Sequence, residues 1–157
     1  MLSSAAATAR PPVLSANLPA VVGQPVQMLS GAMANWLDHR LHLQHGPIDL
    51  IITAEGDKGE VAAAYARAAD AFCGLLDRLV DELAILRLPA ESKITGRLKG
   101  PVAKRMAAAI SPYLPRHDKA DFITPMIAVA GSVADEILLA MGDKLVRASV
   151  NNGGDIA

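Results

Sequence analysis

A chain of 157 residues, 52% apolar and only 3% aromatic, holds material for one domain of ordinary size with a core of small and aliphatic side chains. Its 15 basic and 16 acidic residues nearly cancel, to a net charge of -1, and nothing in that total suggests the concentrated basic footprint of a nucleic-acid binder. Cys73 is the single cysteine, so an intrachain disulfide and a cysteine-ligated zinc site are excluded, and a reducing, cytoplasmic setting is expected.

Arg10 is the only charged residue in the first 37. Pro11, Pro12, Pro19 and Pro25 interrupt every apolar run there, so no secretory core forms, and residues 1–35 are expected to be a disordered leader before a domain over 36–157. No stretch approaches the length needed to cross a bilayer, so no membrane partner is expected.

Order is expected from about Trp36. Arg40-Leu41-His42-Leu43-Gln44-His45 alternates apolar with polar, the period of a half-buried strand. Gly46-Pro47 breaks it, and Ile48 to Thr53 reads as a second strand, making a hairpin. From Glu60 to Arg87, apolar residues recur at Val61, Tyr65, Ala68, Phe72, Leu75, Leu76, Leu79, Leu83 and Leu86, which predicts one long helix. Asp57 and Glu60 have capping-box spacing at its start, and Pro89 cannot continue it. Gly74 lies inside, where it costs stability but lets another element approach.

Glu91 to Gly100 reads as a connecting loop. Pro101 suits the first position of a helix with Val102, Met106, Ala109 and Ile110 inward, ending near Pro112. After a further loop, an apolar run from Phe122 to Ala130, interrupted by Pro125, leads into a helix opened by Gly131-Ser132-Val133-Ala134-Asp135 and extending through Met141. Leu145 to Val150 is a short strand entering the turn Asn151-Asn152-Gly153-Gly154-Asp155. Ile156-Ala157 reads as the start of another strand, so the chain is expected to be C-terminally truncated. Strands and helices alternate, which places the class as α/β or α+β.

Two stretches could carry chemistry. Exposed amides in the Gly-Gly turn can hold a phosphate, with Asn and Asp adding hydrogen bonds, although Asn-Gly is equally the signal of an ordinary hairpin. A helix start at Gly131 would present free amides and a positive dipole end to an anion, although Ser132 and Asp135 also have the spacing of a simple cap. His39, His42 and His45 recur every three residues, but on a strand that spacing alternates faces and opposes a shared metal. Lys93, Arg97, Lys99, Lys104 and Arg105 read as a solvated basic surface, with a phosphate contact as the alternative. Cys73, between Phe72 and Gly74, reads as a structural thiol.

The run Phe122-Ile-Thr-Pro-Met-Ile-Ala-Val-Ala-Gly-Ser-Val-Ala-Asp135, followed by Ala148-Ser-Val-Asn-Asn-Gly-Gly-Asp-Ile-Ala157, resembles the core of the ApbE-like flavin-binding superfamily. His45-Gly-Pro-Ile-Asp-Leu-Ile-Ile52 and Gly100-Pro-Val-Ala-Lys-Arg-Met106 resemble its uncharacterised branch, and the likeness spans about residues 37 to 157. It implies a mixed sheet with packed helices, binding of FAD, FMN or a related phosphorylated ligand, and magnesium. Thr124 and Ala130 fall where the superfamily has an Asp and a Lys on FAD, and Ile127 falls where a backbone carbonyl holds the metal. The resemblance extends the cofactor set to Gly131, Asp135, Asn152, Gly153, Gly154 and Asp155. It implies FMN-transferase-like activity for a full-length parent, with this fragment inactive and the catalytic residues unassigned. Because Thr124 and Ala130 carry no charge, the alternative is a non-catalytic ligand-binding or assembly module. The expected partner is a small nucleotide or flavin, not nucleic acid, and oligomerisation stays open.

Overall fold

The structure, a computed structural model, describes residue 18 and residues 22–90, 94–114 and 123–157. Among the described residues, six strands form one sheet: β1 (Val26–Gln27), β2 (Met33–Leu37), β3 (Arg40–His45), β4 (Ile48–Glu55), β5 (Arg147–Asn152) and β6 (Asp155–Ile156). They lie side by side in chain order, each antiparallel to its neighbour. Between β4 and β5 the chain forms α1 (Lys58–Phe72), α2 (Leu75–Asp81), α3 (Leu83–Leu86), α4 (Pro101–Ile110) and α5 (Val129–Met141). The class is α+β.

The β3–β4 hairpin follows from its alternation. Leu41, Leu43, Ile48, Leu50 and Ile52 are buried on one face, with Leu43 opposite Leu50 and Leu41 opposite Ile52. Gly46 takes φ 55° in the turn, a conformation that costs glycine nothing. β5 continues the same face, placing Val150 opposite Ile52 and Asn152 opposite Leu50. α1 and α5 lie against it, and Tyr65, Phe72, Met106, Val133 and Ile137 belong to the same buried core.

Strand structure begins ahead of the expected boundary at residue 36, with β1 and the first part of β2 inside the stretch read as leader. The buried inward position of β2 is Ala34, which is depleted in strands and gives a weak strand signal. The expected leader over 1–17 and 19–21, Lys93, and the loop over 115–121 lie outside the described residues.

The helix expected from Glu60 to Arg87 is broken twice. Gly74 adopts φ 67° and ψ 7° between α1 and α2, and Glu82 separates α2 from α3. A Cβ on Gly74 would lie 3.3 Å from Arg78 Nη1 and 3.7 Å from Ser30 Oγ, so the 3-10 turn Leu29–Gly31 packs close against the break. Tyr65, Phe72, Leu75, Leu79 and Leu86 are nonetheless all buried, as their spacing predicts. Apolar periodicity survives a change of helix direction, and so cannot reveal one.

Polar contacts secure the helix ends. Asp57 Oδ1 accepts from the amides of Gly59 at 2.9 Å and Glu60 at 3.2 Å, while the Glu60 carboxylate accepts from Arg67 at 2.5 Å. Arg67 also donates to the Met141 carbonyl at the end of α5, where the helix dipole favours a cation. Pro101 opens α4 as expected. The Glu82 carboxylate accepts from the amides of Lys99 at 2.6 Å and Gly100 at 2.8 Å, satisfying the positive end of α4. Ala109, expected inward, is exposed, and Ala103 and Ala107 are buried instead. The inward face follows the rows 102–106–110 and 103–107 at four-residue spacing, and Ala109 falls outside both.

Glu82→Ala leaves both amides without their acceptor. We expect a loss of roughly 1–3 kcal/mol, seen as a lower urea midpoint with an unchanged slope. An unchanged midpoint would mean that water replaces the carboxylate at no cost.

Candidate functional site

The Asn-Asn-Gly-Gly-Asp stretch forms the β5–β6 hairpin, with Asn152 paired to Asp155 across a two-residue turn. Gly153 and Gly154 take φ 62° and 113°, and a Cβ on either would meet no atom within 4 Å. The glycines therefore serve backbone conformation, as hairpin chemistry requires, and not a close approach. Asn151 Oδ1 accepts from the Gly154 amide at 3.0 Å. Asp155 is exposed.

Asn152 points the other way. It is 8% exposed, and its Nδ2 donates to the Ala130 carbonyl at 3.1 Å, joining the end of β5 to the start of α5. That helix begins at Val129, two residues before the expected start at Gly131, because the 3-10 turn Pro125–Ala128 runs directly into it. Pro125 suits that turn, where its missing N–H has no role. Ser132 is buried inside α5, and the residue that precedes the helix is Ala128, so the expected Ser132–Asp135 cap does not form.

The candidate residues thus divide. Ala130 and Asn152 meet, and Gly131 follows within the first turn of α5. Thr124 is half-buried before the 3-10 turn, and its carbonyl accepts from the Ile127 amide at 3.3 Å. The Ile127 side chain is 74% exposed. Asp135 is exposed, 3.9 Å from Arg105 Nε. Arg105 Nη1 donates to the Ser132 carbonyl at 3.1 Å and to Glu136 at 3.0 Å, so this member of the basic cluster joins α4 to α5.

Beside the Ala130–Asn152 contact lies a cavity of about 430 Å³. Its wall includes Leu76 and Leu79 of α2, Leu83 of α3, Met106 of α4 and Val129 and Val133 of α5. Arg87 is the one charged side chain in the described lining. The leucines belong to the periodic stretch that sequence reasoning assigned wholly to core. One signal was available: Leu76, Val80 and Leu83 widen the apolar stripe beyond a single buried face, and Val80 is 54% exposed.

A second cavity, about 590 Å³ and more open to solvent, is lined in part by Trp36, His39, Lys58 and Tyr65. The Tyr65 hydroxyl accepts from the Ala54 amide at 3.1 Å and donates to the His39 carbonyl at 3.3 Å, and Trp36 meets its ring edge-on at 5.1 Å. Burial raises the Tyr65 pKa above its ordinary value, partly offset by the Ala54 amide. The hydroxyl is committed to the backbone on both sides. His42 Nε2 lies 2.9 Å from Asp49 Oδ1, and no group of three His, Cys, Asp or Glu side chains among the described residues could hold a metal ion. No helix among the described residues is long and apolar enough to cross a membrane.

These features define an α+β protein whose antiparallel sheet packs one face against helices and leaves an apolar cavity beside them. The chain belongs to the AbpE bacteria family, whose model matches residues 33–157. That family differs from the ApbE-like flavin superfamily that the motifs resemble, and the match overturns that assignment. The flavin-binding, FAD and transferase-like readings fall with it. Short Gly-containing turns and helix starts recur across unrelated folds, which is why their likeness misled. No curated protein and no solved structure is significantly similar to the chain.

The raised Tyr65 pKa carries a stability consequence. The folded state favours the neutral phenol, so this contribution is complete below the unfolded pKa, about 10, and is lost as pH rises through the folded value. Tyr65→Phe should cost roughly 1 kcal/mol at neutral pH by leaving the Ala54 amide unpaired, yet lose less stability on going to pH about 11. Urea midpoints at the two pH values test this, and parallel losses in both proteins would refute it.

Proposed function

We propose that this chain is a non-catalytic ligand-binding module whose site is the cavity beside Ala130 and Asn152, and that its ligand is a small, mainly apolar molecule. The carrying observation is the cavity itself. Its volume of about 430 Å³ lies in the range that holds small ligands, and its wall is mainly aliphatic with very few polar groups. Apolar area removed from water supplies the affinity. Asn152, held by the Ala130 carbonyl, fixes one end of the wall against the sheet.

A phosphorylated ligand at the helix start and hairpin has weaker support. The Gly154 amide already serves Asn151, and Asp155 would repel a phosphate. The apolar reading instead uses Ala130 and Asn152 as cavity wall.

A neutral fluorescent probe, N-phenyl-1-naphthylamine, tests this reading. We expect saturable one-site binding to the full chain, weakened at least about tenfold, near 1.4 kcal/mol, by Ala130→Phe, which fills the cavity from its wall. Circular dichroism should show the variant folded. Unsaturable binding, or equal affinity in a folded Ala130→Phe variant, would refute the assignment.

A further inference from the structure

We infer that this cavity selects apolar ligands bearing a single anionic head group, and that Arg87 at its rim recognises the charge. The inference rests on the reading of the cavity as a binding site and adds the class of its ligand.

Three observations support it. Arg87 is the one charged side chain in the described lining, and no carboxylate accompanies it there. Arg87 follows α3, where its amide donates to the Leu83 carbonyl at 3.1 Å and anchors the backbone. Its side chain is exposed, with no hydrogen bond or ion pair among the described residues. Two of the described acids nearby in sequence are directed elsewhere. Glu82 is held by the amides of Lys99 and Gly100, and Asp81 lines a separate cleft with Arg78, Arg97 and Lys99.

Val129 and Ala130, the first two residues of α5, line the same cavity and add no acidic group to it. A guanidinium at the mouth of an apolar cavity suits a head group with two coplanar oxygens, which it can engage through two N–H donors. A ligand with an aliphatic or aromatic body and a terminal carboxylate matches both regions. A phosphate monoester offers the same charge with a different shape.

Decanoate, decyl phosphate and decan-1-ol share one aliphatic body and differ in head group. Calorimetric titration into the full chain should show decanoate binding at least about tenfold more tightly than decan-1-ol, with the preference shrinking as salt rises. Arg87→Gln should remove the preference by weakening decanoate far more than decan-1-ol, and Arg87→Lys should restore part of it. Decyl phosphate binding more tightly than decanoate would keep the anionic selection and reassign the head group to phosphate. Equal affinity for decanoate and decan-1-ol, or a preference that survives Arg87→Gln, would overturn charge recognition while leaving the cavity assignment standing. Binding of neither, or undiminished decanoate binding by a folded Ala130→Phe variant, would overturn the cavity assignment and this inference together.

Discussion

The fold depends on β5 returning to lie beside β4. Helices α1 to α5 are inserted between these two strands, whose pairing runs from Leu50 opposite Asn152 to Glu55 opposite Arg147. Closing so long an excursion carries an entropic cost that grows only slowly with length, so the pairing can be held by a modest set of contacts. Val150 supplies the apolar part, buried opposite Ile52. Two polar contacts complete it from the helical side: Asn152 holds the start of α5, and Arg67 holds its end against α1. Since α5 leads directly into β5, fixing both of its ends also sets where the strand enters the sheet.

The sequence revealed what alternation and capping can reveal. Leu41, Leu43, Leu50 and Ile52 fall on one face because a strand's period is two, and the hairpin follows from Gly46-Pro47. Asp57 and Pro101 mark helix starts through chemistry that is local to the chain. The failures share a different cause. The break at Gly74 comes from its left-handed backbone, which the apolar spacing on either side does not mark, and the earlier start of α5 depends on a 3-10 turn merging with it. Neither is encoded by spacing alone.

The candidate site shows the same division. Ala130 and Asn152 were named as parts of a cofactor site, Ala130 where the superfamily has a Lys and Asn152 as a hydrogen-bonding residue of the turn, and in the structure they bond to each other. Asn152 is opposite Leu50 on the core side of the sheet, so the alternation that placed Leu50 inward also turned Asn152 away from the exposed hairpin tip. A motif read as a row of adjacent polar residues was in fact divided between two faces. Asn151 serves the turn, and Asn152 serves the helix. Arg87 had no motif to mark it, because its placement beside the cavity follows from the position of α3.

The two breaks in the helical stretch connect the fold to the site. A glycine in a helix interior costs about 1 kcal/mol relative to alanine, and Gly74 avoids part of that cost by taking a left-handed conformation that side chains disfavour. Beyond Gly74 the chain forms a pair of short helices whose leucines serve two environments. Leu79 and Leu86 are buried in the core yet also line the cavity, while Leu76 and Leu83 are half-buried along its wall. A single straight amphipathic helix presents one apolar stripe to one core. Breaking it turns the surplus apolar surface of the second half toward α4 and α5, where the cavity lies. The same apolar side chains that make the stretch read as core from the sequence are therefore the ones that make it a binding wall in the fold.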